Sequence, residues 1–130
     1  MTYGYTAIVT LLAVALYFFF ATQVAAARGR FGVKLPATTG NPDFERVFRV
    51  QQNMVEQLIL FLPSLWIFSS TVSPFWGAII GAVWVAGRVI YSLSYYMAAE
   101  KRGPGFLISM AASGILLIGG LIGTLRFLLM

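Results

Sequence analysis

The stretch that decides the fold is YGYTAIVTLLAVALYFFFATQVAAA, residues 3–27. No aspartate, glutamate, lysine or arginine interrupts it. A helix needs about 20 consecutive apolar residues to cross the hydrocarbon core of a bilayer. This stretch is long enough, so it predicts a first membrane-crossing helix over residues 3–27.

Three further apolar segments follow, and they predict helices over residues 43–70, 75–99 and 105–128. Turn-forming and charged residues separate the four segments. Asn41, Pro42 and Asp43 supply a helix cap, a proline for the first turn and an acidic residue beside the helix N-terminus. The prediction is an all-α integral membrane protein, a four-transmembrane-helix bundle in one domain covering residues 1–130.

Composition supports a membrane protein and excludes several kinds of chemistry. Hydrophobic residues make up 59% of the chain and charged residues 10%, far from the balance of soluble domains. Cysteine and histidine are both absent, which removes disulfides and the thiol and imidazole nucleophiles. With only four carboxylates we expect no metal site. The net charge of +5 is too dispersed for nucleic-acid binding.

Basic residues are unevenly distributed among the connections. They surround the first connection and occur in the third, whereas the second connection and the N-terminus have none. By the positive-inside rule, loops 28–42 and 100–104 are predicted to be cytoplasmic and both termini outside. Arg126 is the one basic residue that disagrees.

Two polar faces are predicted at the same end of the bundle. At about 100° per residue, the second helix gathers four polar side chains within about 80°: Arg46, Arg49, Asn53 and Glu56. The third helix gathers another four within about 100°: Arg88, Tyr91, Ser92 and Tyr95. Charges at membrane depth normally mark a functional site. The alternatives are that Glu56 pairs with a basic residue on a neighbouring helix and that the tyrosines form an aromatic belt.

These faces favour a ligand with two carboxylates, one ammonium group and a hydrogen-bonding body, because arginine binds carboxylates and Glu56 would bind an amine. Glutathione has those groups and also brings the thiol that this sequence lacks.

Residues 42–53, PDFERVFRVQQN, continue through Glu56 and closely resemble the second-helix signature of the MAPEG family, the membrane-associated proteins of eicosanoid and glutathione metabolism. The resemblance extends to five other places: residues 26–28, residues 36–40, Arg88, the pair Tyr91 and Tyr95, and residues 101–102. It covers nearly the whole chain. Within the family, the chain looks most like the branch of glutathione transferases and leukotriene synthases.

The resemblance implies a homotrimer that binds glutathione between neighbouring subunits near the cytoplasmic end. The matching ligands from one subunit are Arg49, Asn53, Glu56, Tyr91 and Tyr95, and those from its neighbour are Arg28 and Gln51. Gln51 lies about 160° from Arg49 around the second helix, which fits a site between subunits, although a Gln51 solvated by headgroups is the simple alternative. Arg102 matches the arginine that stabilises the glutathione thiolate and is the expected catalytic residue. Its alternative is a loop charge that only sets topology.

Two departures from the family pattern concern the second substrate. Gly29 stands where the leukotriene synthases have an arginine, and Gln57 stands where relatives often place an aromatic ligand. Leukotriene synthesis is therefore not supported.

The expected activity is glutathione conjugation to lipophilic electrophiles that enter from the membrane lipid, or reduction of lipid hydroperoxides. One alternative is a non-catalytic, lipid-presenting member of the family. The other is a scaffold protein whose polar faces only join subunits.

Overall fold

The computed structural model describes residues 2–130, which form four long helices and one short turn. The helices are α1 (Gly4–Phe31), α2 (Pro42–Thr71), α3 (Pro74–Met97) and α4 (Gly103–Leu128), with a 3₁₀ turn over Ala99–Arg102. No strand occurs among the described residues. All four helices are long and apolar enough to cross a membrane. The prediction of an all-helical chain with four spans is confirmed.

The first helix ends four residues beyond the predicted end at Ala27. Gly29 is helical, and Gly32 ends the helix with a positive φ of 69°, donating its backbone N–H to the carbonyl of Arg28. A single helical glycine costs only about 1 kcal/mol. Arg28 and Arg30 lie in the last turn, where positive charge is favourable. The first connection is therefore shorter than predicted, and Arg28 belongs to a helix rather than to a loop.

The second helix begins as its capping residues predict. Asn41 Oδ1 accepts hydrogen bonds from the backbone N–H groups of Asp43 and Phe44 at 2.9 and 3.0 Å, and Pro42 occupies the first helical position. Ser73 and Pro74 start α3 in the same way. These caps satisfy backbone donors that have no partner within the helix.

The third and fourth helices pack closely because glycines line their contact. A Cβ atom at Gly105 would lie 2.5 Å from the Cα of Tyr91, which leaves room only for hydrogen. A Cβ at Gly87 would lie 3.0 Å from the backbone nitrogen of Ser109. Close approach through small residues is the usual way in which membrane helices pack.

Seven basic residues lie at one end of the bundle, with the 32–41 loop and the 3₁₀ turn, and this end is called the basic end below. They are Arg28, Arg30, Lys34, Arg46, Arg49, Lys101 and Arg102. The opposite end has the short turn between α2 and α3 and both termini. Since the N-terminal half of α2 and the C-terminal half of α3 adjoin the basic end, the two polar faces lie in the same half of the bundle.

Candidate functional site

A buried arginine connects three helices near the basic end. Arg88 on α3 is 1% exposed, and its Nη2 donates a hydrogen bond to Asn53 Oδ1 on α2. Its Nη1 donates to Ser109 Oγ on α4 at 3.1 Å. Its guanidinium carbon lies 4.2 Å from the ring centroid of Tyr91. A buried charge is costly unless it is hydrogen-bonded, so these contacts hold the guanidinium in place and orient the Asn53 amide.

Two tyrosines extend this polar region along α3. The rings of Tyr91 and Tyr95 lie 5.5 Å apart between centroids. The α3 helix packs against both α2, which carries Arg49, and the 3₁₀ turn, which carries Arg102. Residues from α2, α3 and the 3₁₀ turn therefore face one region of the subunit.

Glu56 is exposed on the surface of the subunit at a depth where lipid would surround it. It is the fifteenth residue of α2, about 21 Å along the helix axis from the first residue. Within residues 2–130 the one ion pair joins Asp43 and Arg46, so Glu56 pairs with no basic residue of its own subunit. An ionised carboxylate in hydrocarbon faces a protein partner or a polar cavity, not lipid. Within the described residues of one subunit, no basic residue of a neighbouring helix pairs with Glu56.

Gln51 and Arg28 make contacts on the other side of α2. Gln51 Nε2 donates to the hydroxyl of Tyr17 on α1 at 3.2 Å, so this side chain contacts α1. Arg28 Nη1 donates to the carbonyl of Ala37 at 2.7 Å, and its guanidinium carbon lies 5.0 Å from the ring centroid of Phe44. Within one subunit these two residues are not brought to the face that carries Glu56.

Arg102 lies in the 3₁₀ turn that leads into α4. Its Nη1 donates to the carbonyl of Ala99 in the same turn at 2.9 Å, and the side chain is exposed. The turn is short because Gly103 and Pro104 begin the next helix directly. Arg102 thus presents its charge at the basic end, in a turn that packs against α3.

Three contacts of this region were not predicted. The pairing of Asn53 with Arg88 joins the two predicted faces, and Ser109 adds α4 to them. Tyr17 supports Gln51 from α1. A lone arginine within an apolar span was a signal for the first contact, whereas neither Ser109 nor Tyr17 stands out in the sequence. Gln57, the departure noted above, has a buried side-chain oxygen without a hydrogen-bond partner in the described chain.

Replacing Arg88 by lysine is expected to destabilise the subunit by about 2 kcal/mol, because a single ammonium group cannot reproduce both guanidinium hydrogen bonds. Thermal unfolding in detergent measures the loss. Arg126→Lys, at the opposite end, is the matched control and should leave the unfolding temperature unchanged. Equal unfolding temperatures for Arg88→Lys and the unsubstituted protein would show that the Arg88 hydrogen bonds between the helices do not contribute to stability.

Four apolar helices, with polar side chains gathered in one half of the bundle, define a multi-pass integral membrane protein. Its polar region gathers arginine, asparagine, serine and tyrosine side chains from α2, α3 and α4. The chain belongs to the MAPEG family, whose sequence pattern matches residues 6–122.

Individual relatives align over most of their own length. An uncharacterized protein of Synechocystis is 50% identical over 119 residues, which cover 92% of this chain and 87% of the relative. Microsomal glutathione S-transferase 2 of Homo sapiens is 38% identical over 117 residues, covering 90% of this chain and 80% of the relative. Leukotriene C4 synthase of Rattus norvegicus is 40% identical over an alignment of 129 positions, covering 92% and 85%.

Proposed function

We propose that this protein is a membrane-bound glutathione S-transferase that joins the glutathione thiolate to lipophilic electrophiles from the bilayer. The observation that carries the proposal is the Glu56 carboxylate, exposed at hydrocarbon depth without an ion pair in its own subunit. The names of two relatives, a glutathione S-transferase and a leukotriene C4 synthase, support it.

The polar groups match the charges of glutathione. Glu56 binds the ammonium group, and Arg49 binds a carboxylate through a charge-assisted pair. Asn53, held by Arg88, offers its amide, and the hydroxyls of Tyr91 and Tyr95 hydrogen-bond the peptide body. Each polar group of glutathione thus has a side chain of opposite charge or a hydrogen-bonding partner.

The remaining ligands come from a second subunit of a homotrimer in this proposal. Arg28 and Gln51 face away from Glu56 within one subunit, and a neighbouring copy would bring its own pair to the site. Such an arrangement would also cover the exposed charges of α2. The proposal places the basic end in the cytoplasm, in agreement with the positive-inside rule.

Arg102 activates the thiol of bound glutathione, since a fixed positive charge stabilises the thiolate and lowers the pKa of the thiol. The thiol proton passes to solvent, the sulfur forms a bond to the electrophilic carbon, and a leaving group departs or an epoxide opens. With a lipid hydroperoxide, two glutathione molecules are oxidised to the disulfide while the hydroperoxide is reduced to an alcohol and water. Both reactions use the same thiolate.

The direct test is glutathione binding and conjugation by the detergent-purified protein. We expect binding at millimolar glutathione and conjugation of a simple halonitroarene, followed by absorbance. Absence of glutathione binding would refute the proposal. Binding of lipid without turnover of any electrophile would identify a lipid-presenting protein instead.

Glu56→Gln is expected to weaken glutathione binding at least about tenfold, because the amide keeps the shape of the carboxylate but loses the charge that binds the ammonium group. Isothermal titration calorimetry in detergent measures the affinity. Glu45→Gln, on the first turn of the same helix, is the control and should bind as the unsubstituted protein does. If Glu56→Gln changes the oligomeric state and leaves glutathione binding intact, the polar face of α2 only joins subunits.

A further inference from the structure

A cleft of about 420 Å³ opens among α1, α2 and α3 at the basic end. Seven residues line it: Gln23, Arg30, Phe31, Asp43, Arg46, Val47 and Tyr96. Two arginines against one aspartate leave a net positive charge on its walls. The cleft therefore favours an anionic ligand.

The cleft is separate from the proposed glutathione site. Its α2 residues are Asp43, Arg46 and Val47, and none of the proposed glutathione ligands lines the cleft. Val47 lies about 160° around the helix from Arg49. Arg30 and Gln23 come from α1 and point to a ligand held within one subunit. The function of the cleft does not rest on the glutathione proposal.

The depth of the cleft in the membrane indicates which kind of anion it binds. Asp43 and Arg46 lie in the first two turns of α2, and α2 has 30 residues, about 45 Å of helix against a hydrocarbon core of about 30 Å. Arg30 and Tyr96 lie in the last turns of α1 and α3. The cleft thus lies at headgroup depth, where basic pockets between membrane helices bind anionic lipid headgroups.

Two buried polar atoms of the lining residues have no hydrogen-bond partner in the described chain: Arg46 Nε and the Tyr96 hydroxyl. Arg46 already binds Asp43 through Nη2, and the Arg30 guanidinium carbon lies 5.1 Å from the ring centroid of Phe31. A buried donor without a hydrogen-bond partner is energetically unfavourable. Phosphate oxygens accept from guanidinium and hydroxyl donors alike.

We propose that this cleft binds the phosphate of an anionic phospholipid headgroup, with Arg30 and Arg46 as its cationic ligands. The acyl chains would lie along the apolar outer surface of the helices. Gln23 and Tyr96 would supply neutral hydrogen bonds to the headgroup. A soluble phosphate has the same chemistry, so the test has an arm for each source.

Native mass spectrometry of the detergent-purified protein tests the lipid arm, with added dioleoyl phosphatidylglycerol and dioleoyl phosphatidylcholine as probes. We expect the protein to retain phosphatidylglycerol preferentially, and Arg30→Gln to weaken this retention about fivefold. Tyr96→Phe should give a smaller loss. Arg126→Gln, a basic residue at the opposite end, is the matched control and should retain the lipid fully. Circular dichroism and size-exclusion chromatography verify that the variants are folded.

Three results would overturn the phospholipid proposal. Equal losses for Arg30→Gln and Arg126→Gln would show nonspecific attraction to basic residues and overturn the proposal, as would absence of a preference for phosphatidylglycerol. In the second arm, inorganic phosphate is added to delipidated protein and thermal unfolding is measured. Stabilisation by phosphate that Arg30→Gln abolishes, without retention of phosphatidylglycerol, would assign the cleft to a soluble anion and overturn the lipid assignment.

Discussion

Arg102→Ala is expected to lower the rate of glutathione conjugation about 100-fold at neutral pH, the size of effect seen when one group that stabilises a developing or bound negative charge is removed. Arg102 is exposed in the 3₁₀ turn, which packs against the α3 helix that carries Tyr91 of the proposed site. Without it the thiol of bound glutathione returns towards its ordinary pKa, so less thiolate is present. Glutathione binding should persist, because Arg49 and Glu56 remain. Steady-state conjugation and calorimetric binding, measured side by side, separate the two effects.

A pH profile distinguishes this role from a structural one. If Arg102 lowers the thiol pKa, the unsubstituted protein holds thiolate at neutral pH, whereas the alanine variant gains thiolate only as pH rises. The ratio of the two rates should therefore shrink between about pH 7 and pH 9. Lys101→Ala, which removes the neighbouring positive charge in the same turn, is the control and should conjugate normally. A rate defect that is constant across this pH range would assign Arg102 to the fold instead.

Gly105→Ala is expected to destabilise the subunit by about 3 kcal/mol, the upper part of the usual range for overpacking. The added methyl group would meet the backbone of Tyr91, and backbone atoms cannot move aside as a side-chain end can. The α3 and α4 helices would have to separate, which would weaken the hydrogen bond between Arg88 and Ser109. Thermal unfolding in detergent should show the loss, together with a lower yield of folded protein.

The matched control for this change lies on the same helix. A Cβ at Gly114 would have no heavy atom within 4 Å outside its own helix and neighbours, so Gly114→Ala adds no clash. Because alanine favours helix over glycine by about 1 kcal/mol, this variant should be as stable as the original or more stable. Similar losses for both variants would mean that the close approach of α3 and α4 does not limit stability.

Much of the architecture could be predicted from the sequence because its physical signals are local. Long uncharged stretches show the spans, and the residues Asn41, Pro42 and Asp43 show the start of α2. The end of α1 was harder to predict, since Gly29 and Gly32 are both possible breakers. The helix continues through Gly29 and ends at Gly32, whose backbone N–H donates to the carbonyl of Arg28.

From the sequence, the candidate site could be predicted only as separate polar faces of single helices. Helical periodicity groups Arg49 with Glu56 and Arg88 with Tyr91, since both relations lie within single helices. The bond between Arg88 and Asn53 depends on how far α2 and α3 are rotated about their own axes, and no local pattern encodes that rotation. The same holds for Tyr17 and Gln51, which lie 34 residues apart in sequence.

The exposed carboxylate of Glu56 also bears on how the protein reaches its mature state. A lone subunit would expose this carboxylate to hydrocarbon, which is energetically costly. Whatever covers the face, whether ligand or another copy, contributes its binding free energy to the stability of the folded chain. Stability should therefore rise with the protein-to-lipid ratio and with ligand concentration. Newly inserted chains would be the form most exposed to quality-control proteases.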